Sequence, residues 1–248
     1  MDVAFAAVVL APGLAVGSFL NVVAARIPLR RSIVSPGSAC PTCGTSLAWY
    51  DNVPLVSYLV LRGKCRHCQA AISWRYPAVE AATALLIAGC GLKFGFSWEF
   101  FVAASFCAVL VAVSATDLER RIIPNRIVLP ATVVLFAAQT VLHPSVEWLV
   151  AGLGAAAFFL IAALAYPGGM GMGDVKLALF LGVVLGRTVP VALLVGMLSA
   201  LVPSFVIVAR HGRAGRKMAI PFGPFLALGG IVALFAGNSI LDWYLRLS

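Results

Sequence analysis

Two carboxylates and four thiols carry most of the chemistry available to this sequence. The carboxylates are Asp117, in "SATDLERRIIPN", and Asp174, in "GMGMGDVK", each at the edge of a run of hydrocarbon side chains. A carboxylate at membrane depth is costly, so its presence there points first to function. Two aspartates facing one site suit hydrolysis, one ionised to take a proton from water and one protonated to assist the carbonyl and leaving amine. Close like charges and partial desolvation both favour one proton shared between them. Gly171 and Gly173 beside Asp174 carry no Cβ and would let an extended peptide come close. Plainer roles compete: Asp174 suits the N-cap of a helix beginning at Val175, and Asp117 can pair with Arg120 or Arg121 one turn on. Spacing alone does not bring the two carboxylates together.

The thiols are Cys40 and Cys43 in "CPTC" and Cys65 and Cys68 in "CRHC", with 21 residues between the pairs. Two such knuckles match a four-thiolate zinc ribbon, one residue beyond the usual spacing. Four thiolates close a tetrahedral shell and leave no open position, so the zinc reads as structural, a staple that a small insert needs to fold. A redox pair or disulfide is the competing reading, and a cytosolic setting disfavours it. His67 lies inside the second knuckle and could replace a cysteine, although solvent exposure suits it better. Cys90 and Cys107 stand singly in apolar runs and read as small apolar fillers.

The elements that must position these groups follow from composition. Of 248 residues, 62% are hydrophobic and 11% charged, with a mean hydropathy of +1.01. A soluble domain is about 45–50% apolar, so too little polar side chain remains here to cover one. The fold class is an all-α polytopic membrane protein, because irregular backbone cannot face lipid. The N-terminal run lacks a basic region ahead of it and reads as a retained span, not a cleaved signal peptide. Runs near the ~20 residues needed to cross a bilayer fall at 3–24, 76–93, 99–116, 127–142, 147–166, 177–186, 191–209 and 221–240, about eight transmembrane helices. The expected organisation is a first transmembrane helix at 1–24, a four-cysteine insert at 25–75 and a multi-span domain at 76–248.

Lys and Arg outnumber Asp and Glu by 18 to 9, an excess that sets membrane topology and does not call for nucleic acid. With the N-terminus outside, fifteen basic residues fall on the cytoplasmic side and three on the other. That places both termini outside and the insert in the cytosol. The basic loop Arg210 to Lys217 reads as a topological anchor. Asp174 to Gly186 is only 13 residues, about 20 Å of helix. With Arg187 at the outer interface, Asp174 is expected roughly 10 Å inside the cytoplasmic boundary of a ~30 Å core, with "GGMGMG" as non-helical backbone dipping into the membrane; local membrane thinning is the competing reading. Of the other acids, Asp2, Glu99, Glu147 and Asp242 are expected to be solvated at outer ends, and Glu119 to be a loop charge. Glu80 is a third carboxylate at a cytoplasmic span end, free to snorkel or to bond a neighbouring helix.

An ordered set of segments resembles the type IV prepilin peptidases, a family of GxGD-type intramembrane aspartic proteases. "GMGD" (Gly171 to Asp174) is similar to the GxGD motif and "TDLERRIIPN" (Thr116 to Asn125) to its partner. "GSFLNVV", "WYDNVPLVSY", "RGKCRHC", "RYPAVE" and "IPFGPFLALGG" match in order along nearly the whole chain. The resemblance implies that Asp117 and Asp174 are the catalytic pair, with Gly171, Gly173 and Lys176 as supporting residues. It implies cleavage of a short basic leader from prepilin or pseudopilin substrates at the cytosolic face of a bacterial inner membrane. It also implies N-methylation of the new N-terminal residue from S-adenosylmethionine, involving the insert, Gly63 and Glu80. No Rossmann glycine fingerprint supports that second activity. Gly17, Ser18 and Asn21 share a helix face, which close packing explains without chemistry. Two other classes stay open: an ion- or proton-coupled transporter, which would favour inverted repeats, and a scaffold whose zinc ribbon recruits a partner.

Overall fold

In the computed structural model, residues 2–166, 170–215 and 220–247 are described. Long runs without polar side chains must bond their backbone internally, and nine α-helices result among the described residues. They are α1 (Asp2–Arg26), α2 (Val56–Val60), α3 (Arg75–Phe94), α4 (Trp98–Arg120), α5 (Asn125–Leu142), α6 (Glu147–Ala165), α7 (Met172–Leu185), α8 (Val189–Gly215) and α9 (Gly223–Leu247). No strand occurs among the described residues, only the isolated bridges Ala39–Ser46 and Lys64–Ala71. Seven stretches are long and apolar enough to cross a membrane. The difference from eight lies at Met172–Arg210, one 39-residue stretch that a 3-10 turn at Gly186–Thr188 divides into α7 and α8. The chain is a multi-pass membrane protein of the all-α class.

The chain divides into two compact units, residues 1–115 and 116–248, with the boundary inside α4. In the first unit α1 and α3 form an antiparallel pair with almost no space between backbones. A Cβ on Gly13 would lie 2.9 Å from the Ala84 Cα, and one on Gly17 would lie 2.6 Å from the Glu80 Cα. Asn21 continues the same face and donates to the Tyr76 carbonyl at 3.1 Å. Small residues at four-residue steps let membrane helices approach this closely. Cys90 and Cys107 are more than separate fillers: their sulfurs meet 3.8 Å apart, buried between α3 and α4.

In the second unit α7 is the core element. A helix apolar on every side is one that is buried on every side, and α7 is covered by α5, α6 and α9. Its residues from Phe180 to Leu185 are all buried. Gly182 lies against the Ala151 carbonyl and the Gly152 Cα of α6, where a Cβ would stand 2.5 Å from each. Gln139 of α5 donates to the Val184 carbonyl at 2.8 Å. Glu147 is not simply solvated, because its carboxylate accepts the Arg187 N–H at 2.6 Å and ties α6 to the turn after α7. Asp242 is exposed, as expected for an outer charge.

Helix α7 starts at Met172, earlier than expected, so Gly173 and Asp174 are helical and Gly171 is the residue that caps it. Pro167 to Gly169 of the glycine run, and Arg216 and Lys217 of the basic loop, lie outside the described residues.

Candidate active site and candidate metal centre

Asp117 sits near the end of α4 and is 5% exposed; Asp174 sits in the first turn of α7 and is 9% exposed. Both belong to the second unit. Each carboxylate faces a helix N-terminus, where backbone N–H groups lack helical partners and favour an anion. Asp117 Oδ2 accepts the N–H of Gly223, the first residue of α9, at 2.8 Å. Asp174 Oδ2 accepts the N–H of Gly171 at 3.2 Å. Asp174 is therefore not the N-cap of its helix. It stands three residues after the capping Gly171 and reaches back to it, the carboxylate half of a capping box. Arg120 pairs with Glu119 at 3.7 Å rather than with Asp117.

Two contacts hold the aspartate-bearing segments in register. Lys176 Nζ donates to the Asn125 side-chain oxygen at 2.9 Å, joining α7 to the start of α5. Gly173 packs on Ile123, and a Cβ there would stand 2.9 Å from the Ile123 Cβ. The missing side chain at Gly173 is thus filled from within the protein, not left open to a peptide. Gly171 is different, being exposed with nothing but Asp174 and its own helix start nearby.

In the first unit the four predicted cysteines converge. The sulfurs of Cys40, Cys43, Cys65 and Cys68 all lie within 4.8 Å of one another, and those of Cys40 and Cys68 are 3.8 Å apart. The two knuckles repeat one backbone design. Cys40 N–H bonds the Thr45 carbonyl and Gly44 N–H the Cys40 carbonyl; Cys65 N–H bonds the Ala70 carbonyl and Gln69 N–H the Cys65 carbonyl. Gly44 and Gln69 both take positive φ, 70° and 58°, to close the turn. Knuckle N–H groups aim at sulfur and hold the Cys40 and Cys65 thiols below their ordinary range. The donor set could hold a metal ion. His67 is exposed and no part of the cluster.

Gly63 stands at φ 68°, and a Cβ on it would lie 3.0 Å from the Tyr58 hydroxyl. Glu80 is 8% exposed and its Oε2 accepts the Leu55 N–H at 2.9 Å, tying the insert to α3 instead of snorkelling.

Comparison with known proteins adds lineage to geometry. The model described as "Bacterial Peptidase A24 N-terminal domain" matches residues 11–94 and that of the "Type IV leader peptidase family" matches 104–205. A protein of Bacillus subtilis named prepilin leader peptidase/N-methyltransferase is 39% identical, with 95% of this chain and 96% of the relative covered. One of Pseudomonas aeruginosa with the same name is 37% identical, covering 95% and 92%. This chain belongs to the type IV leader peptidase family. No solved structure matches it.

In this leader peptidase family member, sequence reasoning missed several groups that the fold places at or near the candidate sites. Gly223 was legible only as part of "IPFGPF"; nothing in the string says that its N–H meets Asp117, 106 positions away. Asn125 carried a weak signal, ending the segment that holds Asp117. The contacts of Leu55 with Glu80 and of Glu147 with Arg187 had none.

Proposed function

We propose that this protein is a membrane-embedded aspartic endopeptidase that removes the short basic leader from prepilin-like substrates and N-methylates the residue so exposed. The observation that carries the reading is likeness to enzymes named for both activities over more than nine-tenths of both chains. Asp117 and Asp174 form the acid and base of the cleavage step. One takes a proton from water, and the other gives a proton to the leaving amine. Two buried carboxylates in one unit, each anchored by one N–H, support that assignment. Gly171 and Lys176 support it in turn, the first by leaving space before Asp174, the second by bracing α7.

The four cysteines hold a structural zinc. Sulfurs about 2.3 Å from a tetrahedral zinc stand about 3.8 Å from one another, and the 3.8 Å between Cys40 and Cys68 supports this fit. When bound, S-adenosylmethionine supplies the methyl group. The insert at 25–75, with Glu80 beside it, belongs to that second activity, and the rest of 76–248 to cleavage. The protein lies in a bacterial inner membrane with both termini outside and the insert cytosolic, as the distribution of basic residues supports. No finding favours the ion-coupled transporter, and the relatives carry enzyme names. Mass spectrometry of a candidate substrate co-expressed with the protein tests both activities together. The expected product is shortened by its leader and heavier by one methyl; an uncut product would overturn the reading.

A further inference from the structure

The first unit contains a cavity of about 460 Å³ that the cleavage chemistry does not use. It lies between the end of α1, the cysteine knuckles and the start of α3, and Cys40 and Cys65 stand in its wall. Pockets for small ligands run to about 300–1,000 Å³, with a few polar groups that set orientation. Among the polar groups here are Asn21, Asn52, Tyr58 and Glu80, with Arg26, whose guanidinium is spent on the Ser32 and Gly37 carbonyls at 3.1 and 3.0 Å, and Arg66. Arg66 is already neutralised by Asp51 at 2.6 Å. Glu80 is not: its one partner is the uncharged Leu55 N–H, and it has no ion pair among the described residues. A carboxylate fixed in a cavity wall without a cation favours a positively charged ligand over a negative one. The other large cavity, about 700 Å³ in the second unit, offers little beyond hydrocarbon and the already bonded Glu147 and Arg187.

We propose that this cavity binds an adenosyl sulfonium, the methyl donor, with Glu80 facing the sulfonium charge and Tyr58 forming an aromatic wall. The proposal rests on the methylation reading above and adds the place and the recognition chemistry. Aromatic faces and carboxylates are the two groups that hold a soft cation of this kind. Tyr58 is held from behind by Gly63, where any side chain would press on the phenol. Arg66 and the two asparagines remain for the uncharged, hydrogen-bonding parts of the ligand.

Equilibrium dialysis on the full metal-loaded chain in lipid nanodiscs tests this, with S-adenosylmethionine and the uncharged S-adenosylhomocysteine as probes. Glu80→Gln keeps the shape and the acceptor for Leu55 N–H. It should weaken the charged probe roughly tenfold, as loss of one partly shielded ion pair implies, and leave the uncharged one within about twofold. Ala25→Trp, which fills the cavity from α1, should weaken both probes by more than about tenfold, since its bulk leaves no room for either. Retained metal content and thermal midpoint show that each variant folds. Equal loss of both probes in Glu80→Gln, or normal binding in Ala25→Trp, would overturn the proposal. A wild-type protein that cleaves substrate but binds neither probe would overturn the methylation reading itself.

Discussion

At the scale of single residues, the candidate active site is a matter of two oxygens and two backbone N–H groups. Asp117→Asn and Asp174→Asn remove the group that moves a proton, so each should reduce leader cleavage by about 10²–10⁴-fold while the protein still inserts. Robust cleavage by either variant in reconstituted membranes would refute the pair. Gly223 offers a subtler test. A Cβ there would stand 2.8 Å from Asp117 Oδ2, so Gly223→Ala must displace the carboxylate or the helix start. A displacement of about 1 Å can cost about 10²-fold in rate. We expect that loss in kcat with KM nearly unchanged, measured from initial rates of cleavage. The sequence marked Asp117 and Asp174 because carboxylates are rare in such a chain. It was silent on Gly223, because a backbone N–H has no letter of its own.

At the scale of elements, the apolar runs were readable and their junctions were not. Each long helix lies close to its expected span, since hydrocarbon length alone dictates it. The start of α7 differs by three residues from the Val175 first expected. Glycine is a poor helix former, which argued for non-helical backbone up to Asp174. Packing of Gly173 on Ile123 and the reach of Asp174 back to Gly171 override that preference. The fit of α7 on α6 gives this scale its own prediction. Gly182→Val would press a side chain onto the Ala151 carbonyl. Overpacking of this kind costs about 1–3 kcal/mol, and a lowered thermal midpoint in detergent should report it. An unchanged midpoint would mean that the contact is looser than it looks.

At the scale of the whole molecule, the chain divides into two compact units, with the thiol cluster in the first and the two aspartates in the second. Cys40→Ser breaks the thiol cluster in the first unit and leaves the second unit's core untouched. It should lower bound zinc and weaken methylation more than cleavage, read by metal analysis and mass spectrometry of one substrate sample. Equal loss of both activities would contradict that separation. The cysteine spacing made the cluster legible in advance. The cavity beside it was not, because it is assembled from residues 18 to 80 across three separate segments. Only folding shows that they share a space. The presence of Cys40 and Cys65 in the wall of that cavity then has a meaning for the organism. If the cluster holds zinc and the cavity holds the methyl donor, as proposed, a cell starved of zinc would trim its pilin-like subunits but leave them without their terminal mark. The subunits would then carry a chemical record of the metal supply at the time they were made.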